Sequence, residues 1–325
     1  MARVLIVGGA GYVGGALTSR LASTPHEIRV YDSLLYEESY RKPVPFEHGD
    51  VRDWSRLQPH LDWAEVVVWL AALVGDGACA MEPELTREIN QNSVRRLADS
   101  FTGRILFTST CSVYGAQEGE LVEDSPINPL SLYAETKAKA EESLRDRNAM
   151  VFRLGTLYGV GDEFSRIRLD LVVNILTVKA ALYNRISVFG GDQYRPLLHV
   201  RDIAAVLEKN ITTPHTGVFN VHSENVRIAD LAERFQAHFP GLEVLRTEMK
   251  FQDSRNYRVS SRKAVDGFGF NPACSIDDGI AELKRLLIER RLKNIALPRH
   301  SNQKYLKGFL ERPASPLGYE LSSGI

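Results

Sequence analysis

Cysteine is scarce in this chain of 325 residues: Cys79, Cys111 and Cys274 are the whole complement. An odd number, wide spacing and no paired-ligand pattern argue against a disulfide framework or a metal site, and fit reduced thiols in a cytoplasmic protein. No apolar run reaches the length needed to cross a membrane, so no membrane partner is expected. Met1-Ala2-Arg3 leads straight into a strand pattern, so no signal peptide is expected either. Excess charge is lacking as well. Forty Lys and Arg stand against 41 Asp and Glu, for a formal net charge of −1. Without a basic footprint, nucleic acid is not an expected partner. Internal repeats and low-complexity tracts are absent, which argues against an array or a disordered chain.

What remains is an ordinary globular balance, 44% hydrophobic and 25% charged, long enough to bury a large core in one or two domains. Arg3-Val4-Leu5-Ile6-Val7 reads as a strand buried on both faces of a parallel sheet. It ends in a glycine turn in which Gly8, Gly11 and Gly14 are spaced Gly-x-x-Gly-x-x-Gly around Tyr12 and Val13, and a helix is expected through residues 16–22. Strand, glycine turn and helix in that order point to a dinucleotide, with its pyrophosphate at the positive helix end. A second strand, Ile28-Arg29-Val30-Tyr31, runs into Asp32, 18 residues past Gly14. A carboxylate there accepts from adenosine ribose hydroxyls and repels a 2′-phosphate, which indicates NAD rather than NADP.

Asp50 is placed to meet the adenine amino group and Val51 the ring face. A strand over residues 65–70 leads into Leu70, Ala71 and Ala72, where small side chains let a cofactor cross the sheet edge. A helix is expected over 84–100, with Asn90 as a packing or surface amide. Arg104-Ile105-Leu106-Phe107 is the next strand, carrying Thr108, Thr110, Cys111 and Ser112 toward the crevice outside its carboxyl end. Strands and helices at this cadence imply right-handed crossovers and a doubly wound α/β sheet. Tyr133 follows Thr110 by 23 residues and opens a helix carrying Lys137 four positions on. That spacing puts the two side chains on one face, where an ammonium favours the phenolate and draws the Tyr133 pKa down.

The glycine spacing, Asp32, Thr110-x-x-x-Tyr114-Gly115 and Tyr133-x-x-x-Lys137, in this order, resemble the extended short-chain dehydrogenase/reductases, and more narrowly their nucleotide-sugar epimerase/dehydratase branch. The resemblance implies a Rossmann-type NAD-binding domain over residues 1–165, rejoined by 200–225. It implies a smaller substrate lobe from 166–199 and 226–297, with 162–183 largely helical and 298–325 a tail of polar or partner-packing character. It further implies Thr110, Tyr133 and Lys137 as catalytic residues, and Thr108 among those around the cofactor. Thr110, Cys111, Ser112, Arg195 and Arg255 would contact a nucleotide-diphosphate sugar, the two arginines clamping the diphosphate. His199 is expected to be structural. A homodimer is implied by resemblance alone.

The reaction expected is transient oxidation of a sugar hydroxyl by NAD and return of the hydride, an epimerisation. Reduction or dehydrogenation of a keto-sugar nucleotide needs the same three side chains. Sugar 4,6-dehydration is disfavoured, because Cys111 and Ser112 stand where dehydratases of the family carry an acid. Cys111 as an epimerising base is the weaker reading beside a small buried hydrophobe. A non-catalytic dinucleotide sensor on this fold would be expected to lack the Tyr/Lys pair.

Overall fold

The computed structural model describes residues 1–37, 39–247 and 256–310. The first half builds β1 (Arg3–Val7), α1 (Tyr12–Leu21), β2 (Glu27–Asp32), β3 (Phe46–His48), α2 (Trp54–Trp63), β4 (Val66–Trp69), α3 (Asp76–Met81) and α4 (Pro83–Arg87). A π-turn (Glu88–Asn92) joins α4 to α5 (Ser93–Ser100), and then come β5 (Arg104–Thr110), β6 (Ala116–Leu121), α6 (Leu132–Leu144) and β7 (Ala149–Leu154). The second half adds β8 (Thr156–Tyr158), α7 (Val172–Tyr183), β9 (Arg185–Phe189), β10 (Tyr194–His199), α8 (Val200–Lys209), β11 (Gly217–Val221), β12 (Glu224–Arg227) and α9 (Ile228–His238). It ends with β13 (Glu243–Thr247), β14 (Asn256–Val259), α10 (Arg262–Phe268), α11 (Ile276–Ile288) and α12 (Asn302–Leu310).

Seven strands form one sheet in the order β11-β7-β5-β4-β1-β2-β3, every pair parallel. Alternate residues of each strand feed opposite faces, as the two-residue period requires. Val4, Ile6, Val68, Leu106 and Phe152 pack with Leu17 of α1 and Ile203 and Leu207 of α8. Leu5, Val7, Val67, Trp69 and Phe107 pack with Leu57 of α2, Leu97 of α5 and Leu144 of α6. Burial on both sides explains why the strands are apolar runs rather than alternating ones. The strand order reverses between β1 and β4, which opens a crevice at their carboxyl ends. Smaller sheets, with β10 between β12 and β8 and β9 beside β13, share a separate core around Tyr158, Leu197, Leu231 and Phe235. Among the described residues no helix is long and apolar enough to cross a membrane.

Three local expectations change. The helix expected over 84–100 is interrupted by the π-turn, where Asn90 is fully buried. Its amide accepts from Leu73 N at 2.8 Å and donates to Leu73 O at 2.9 Å, pinning the loop after β4. The helix expected from 162 begins only at Val172. Asp162 accepts from the backbone N–H groups of Phe164 and Ser165 (2.6 and 2.7 Å), a local turn that competes with helix formation. Residues beyond Leu297, expected as a polar tail or partner-packing segment, form α12 among the described residues, and its Leu306 is fully buried.

Candidate functional site: a dinucleotide cavity with a Tyr-Lys wall

Gly8, at φ +85°, turns the chain out of β1 so tightly that a side chain would strike the Ala71 backbone. A Cβ on Gly14 would lie 2.5 Å from Gly9 Cα, whereas one on Gly11 would meet only Gly8 O, at 3.5 Å. Gly8 and Gly14 therefore serve close packing, while Gly11 keeps open the space a phosphate would occupy above the α1 N-terminus. Gly8, Gly11, Tyr12, Val13 and Gly14 line one cavity together with Asp32, Asp50, Val51, Leu70, Ala71, Ala72, Thr108, Tyr133 and Lys137. The cavity and the open solvent at its mouth together make up about 1140 Å³ of atom-free space. Asp32 is held rigidly at one end, accepting from Ala10 N at 2.9 Å and Leu34 N at 2.7 Å. Asp50 is engaged by Arg52 at 2.9 Å. The glycine cradle and this fixed carboxylate suit a dinucleotide whose ribose carries free hydroxyls.

Tyr133 and Lys137 come from α6, which starts at Ser131; the Ser131 hydroxyl accepts from Ala134 N and donates to Asp76. Lys137 Nζ donates to Thr108 O at 2.8 Å and lies 4.6 Å from the Phe107 ring centroid. The expected lowering of the Tyr133 pKa is not what the structure shows. Burial pushes the phenol up, the same burial pushes Lys137 down to about 8, and the cation that most favours the Tyr133 phenolate is Arg168.

Thr110, Cys111 and Ser112 do not line this cavity. Thr110 Oγ1 accepts from Ser112 N at 3.1 Å, capping the short 3₁₀ turn Cys111–Tyr114. Cys111 changes as an expected substrate contact: fully buried with Val113, Tyr114 and Val259, it points its thiol at Arg153 O (3.2 Å). Burial also raises its pKa, in agreement with the small buried hydrophobe preferred over a base. Cys111→Ala is expected to leave kcat within about twofold; a larger loss in a steady-state assay would return the thiol to the chemistry. Arg195, buried on β10, donates to Tyr194 O and stands apart from the cavity. Arg255 lies outside the described residues. His199 is structural, its Nδ1 accepting from Arg201 N and its Nε2 2.9 Å from Glu282.

The cavity also contains Tyr36, Glu37, Arg166, Arg168 and Asn302, none of which the sequence pointed to as a site. One local signal existed. Arg166-Ile167-Arg168-Leu169-Asp170 alternates charged and apolar residues, the period of extended chain rather than helix; Ile167 and Leu169 are indeed buried together.

Residues 4–221 match the model of the NAD dependent epimerase/dehydratase family. A UDP-glucose 4-epimerase of Streptomyces lividans is 27% identical over 229 residues, 63% of this chain and 68% of that protein. UDP-glucuronic acid decarboxylase 1 of Xenopus tropicalis is 23% identical over 94% of this chain and 77% of its own length. The UDP-glucose 4-epimerase of Rhizobium meliloti is 31% identical, but this chain spans only 46% of it. Among solved structures, MoeE5 in complex with UDP-glucose and NAD superposes with a TM-score of 0.75 at 23% identity, over 89% of this chain and 100% of that one. The NDP-hexosamine 5,6-dehydratase TunA reaches 0.78 at 25% identity, over 89% and 99%. The chain belongs to the NAD dependent epimerase/dehydratase family, a Rossmann-type enzyme fold, and its cofactor is NAD.

Proposed function

We propose that the protein is a nucleotide-sugar epimerase that oxidises a sugar hydroxyl to a ketone and returns the hydride to the opposite face. The observation that carries this reading is that Tyr133 and Lys137 stand on the wall of the NAD cavity while the positions after Thr110 carry no carboxylate. A dehydration needs an acid to protonate the departing hydroxyl, and neither Cys111 nor Ser112 supplies one. The UDP-glucose 4-epimerases among its relatives support the reading; the dehydratases and decarboxylases beside them are why it needs a test.

NAD, held by the turn of Gly8, Gly11 and Gly14 and by Asp32, would supply the acceptance and return of a hydride at the sugar carbon. Tyr133 takes the hydroxyl proton as a phenolate and returns it after the hydride has moved. Lys137, anchored on Thr108 O, holds positive charge beneath that exchange. Thr110 has one lone pair occupied by Ser112 N–H, and its own hydroxyl proton serves the sugar oxygen as charge develops there. Arg195 and Arg255 bind the diphosphate, and residues 166–199 with 226–297 form the lobe that carries the sugar. A homodimer remains part of this reading.

The second reading, an NAD(P)-dependent reductase or dehydrogenase of a keto-sugar nucleotide, is favoured by the same Thr, Tyr and Lys. Two assays separate them. Mass spectrometry of the denatured protein is expected to release near-stoichiometric NAD, and a panel of UDP- and dTDP-hexoses is expected to yield an epimer of one member without net NADH. Net NADH turnover would overturn epimerisation in favour of the reductase, and a product lighter by one water would restore a dehydratase.

A further inference from the structure

Residues 298–310 have no role in the family reading, yet they reach the cofactor cavity through one side chain. Asn302 is only 3% exposed and lines that cavity. Its Nδ2 donates to Val74 O at 2.8 Å, its backbone N–H donates to Asp170 Oδ2 at 2.8 Å, and its Oδ1 accepts from the Arg166 guanidinium. One amide thus joins the loop after β4 to the extended 162–170 segment. The same segment is stitched to the chain just before α12. Arg166 donates to Arg299 O at 2.7 Å, and Leu169 N donates to His300 O at 2.9 Å. On the adenosine side, Glu37 accepts from Arg166 N at 3.0 Å and lies 3.7 Å from Arg299, while the Tyr36 and Tyr305 rings sit 5.7 Å apart.

Arg166 is 6% exposed; its guanidinium is held by Asn302, by Arg299 O and by the Tyr36 ring, whose centroid lies 4.5 Å away, while Glu37 Oε1 is 3.8 Å from its Nε.

We propose that α12 is a wall of the NAD site, that Asn302 is the latch holding it and Arg166 in place, and that release of this latch limits cofactor exchange. The proposal rests on NAD as cofactor and not on the direction of the sugar chemistry. Asn302 acts through Arg166 and Val74, so it is a positioning residue.

The test follows exchange of bound NAD against isotopically labelled NAD by mass spectrometry, in the full chain, with no sugar present. Asn302→Leu removes both side-chain hydrogen bonds at nearly constant volume, and exchange is expected to quicken by about tenfold or more. Val74 O and the Arg166 guanidinium each lose a partner, so the thermal midpoint is expected to fall, and exchange is read well below it. Tyr305→Ala, which removes only a half-buried ring contact, is expected to move exchange in the same direction. In the unsubstituted protein, hydrogen exchange of the 302–310 amides should be slower with NAD than after its removal. Exchange within about twofold of the parent in both variants, or 302–310 amides indifferent to NAD, would overturn the proposal. Because labelled NAD is read directly, the outcome stands even if no sugar nucleotide is turned over.

Discussion

Tyr133→Phe is expected to lower kcat by about 10²–10⁴-fold, the range a positioned acid/base contributes, while NAD still leaves with the purified protein. The ring that fills the cavity wall is preserved and only the oxygen is lost, so the glycine turn and Asp32 keep their grip on the cofactor. Burial raises the native phenol's pKa, and the nearby cation Arg168 works against that rise only in part. The phenolate that receives the sugar proton is therefore formed against the cost of burial, which makes Tyr133 sensitive to the charges around it as well as to geometry. Turnover of the phenylalanine variant at the parental rate would remove Tyr133 from the chemistry. NAD lost together with activity would mean that the side chain serves binding.

The second large effect concerns stability. Arg153→Met is expected to cost about 3–5 kcal/mol, because it strands one partner of a buried ion pair. Arg153 and Glu141 have side chains 4% and 5% exposed and meet at 2.7 Å. Arg153 also donates to the Tyr114 hydroxyl at 2.8 Å and to Glu123 O at 3.0 Å, and Glu141 accepts from Ser109. Glu141 lies on α6 one turn beyond Lys137, so this pair fastens the helix bearing Tyr133 to β5 and β7. Chemical denaturation reads the loss as a lowered midpoint. The double variant Arg153→Met/Glu141→Leu should recover much of it, since replacing both buried charges with apolar groups removes the uncompensated carboxylate. A single variant as stable as the parent would show that water already reaches the pair.

Much of the site was legible in the sequence for a common reason: each legible feature is local. The glycine spacing, Asp32 at the end of β2 and the four-residue step from Tyr133 to Lys137 are set within single turns or elements. Long, apolar, unbroken strand patterns likewise announced a sheet covered on both faces. The misreadings fall where side-chain direction depends on what packs outside the element. Cys111 sits beside Thr110 in sequence, yet a 3₁₀ turn sends its thiol inward to Arg153 O. The 162–170 segment is expected within a helix, but Asp162 caps its own backbone and Arg166 reaches away from the chain.

The sequence by itself determined the fold class, the cofactor cradle and the Tyr-Lys pair, because strand burial, glycine geometry and helical periodicity act over a few residues. Only the tertiary structure decided how that cradle is closed. Arg166 meets Asn302 across 136 residues, and Asn302 meets Val74 across 228. Nothing local specifies such partners; they are chosen when the sheet brings the loop after β4, the 162–170 segment and α12 to one crevice, where buried polar groups must find one another or remain unpaired.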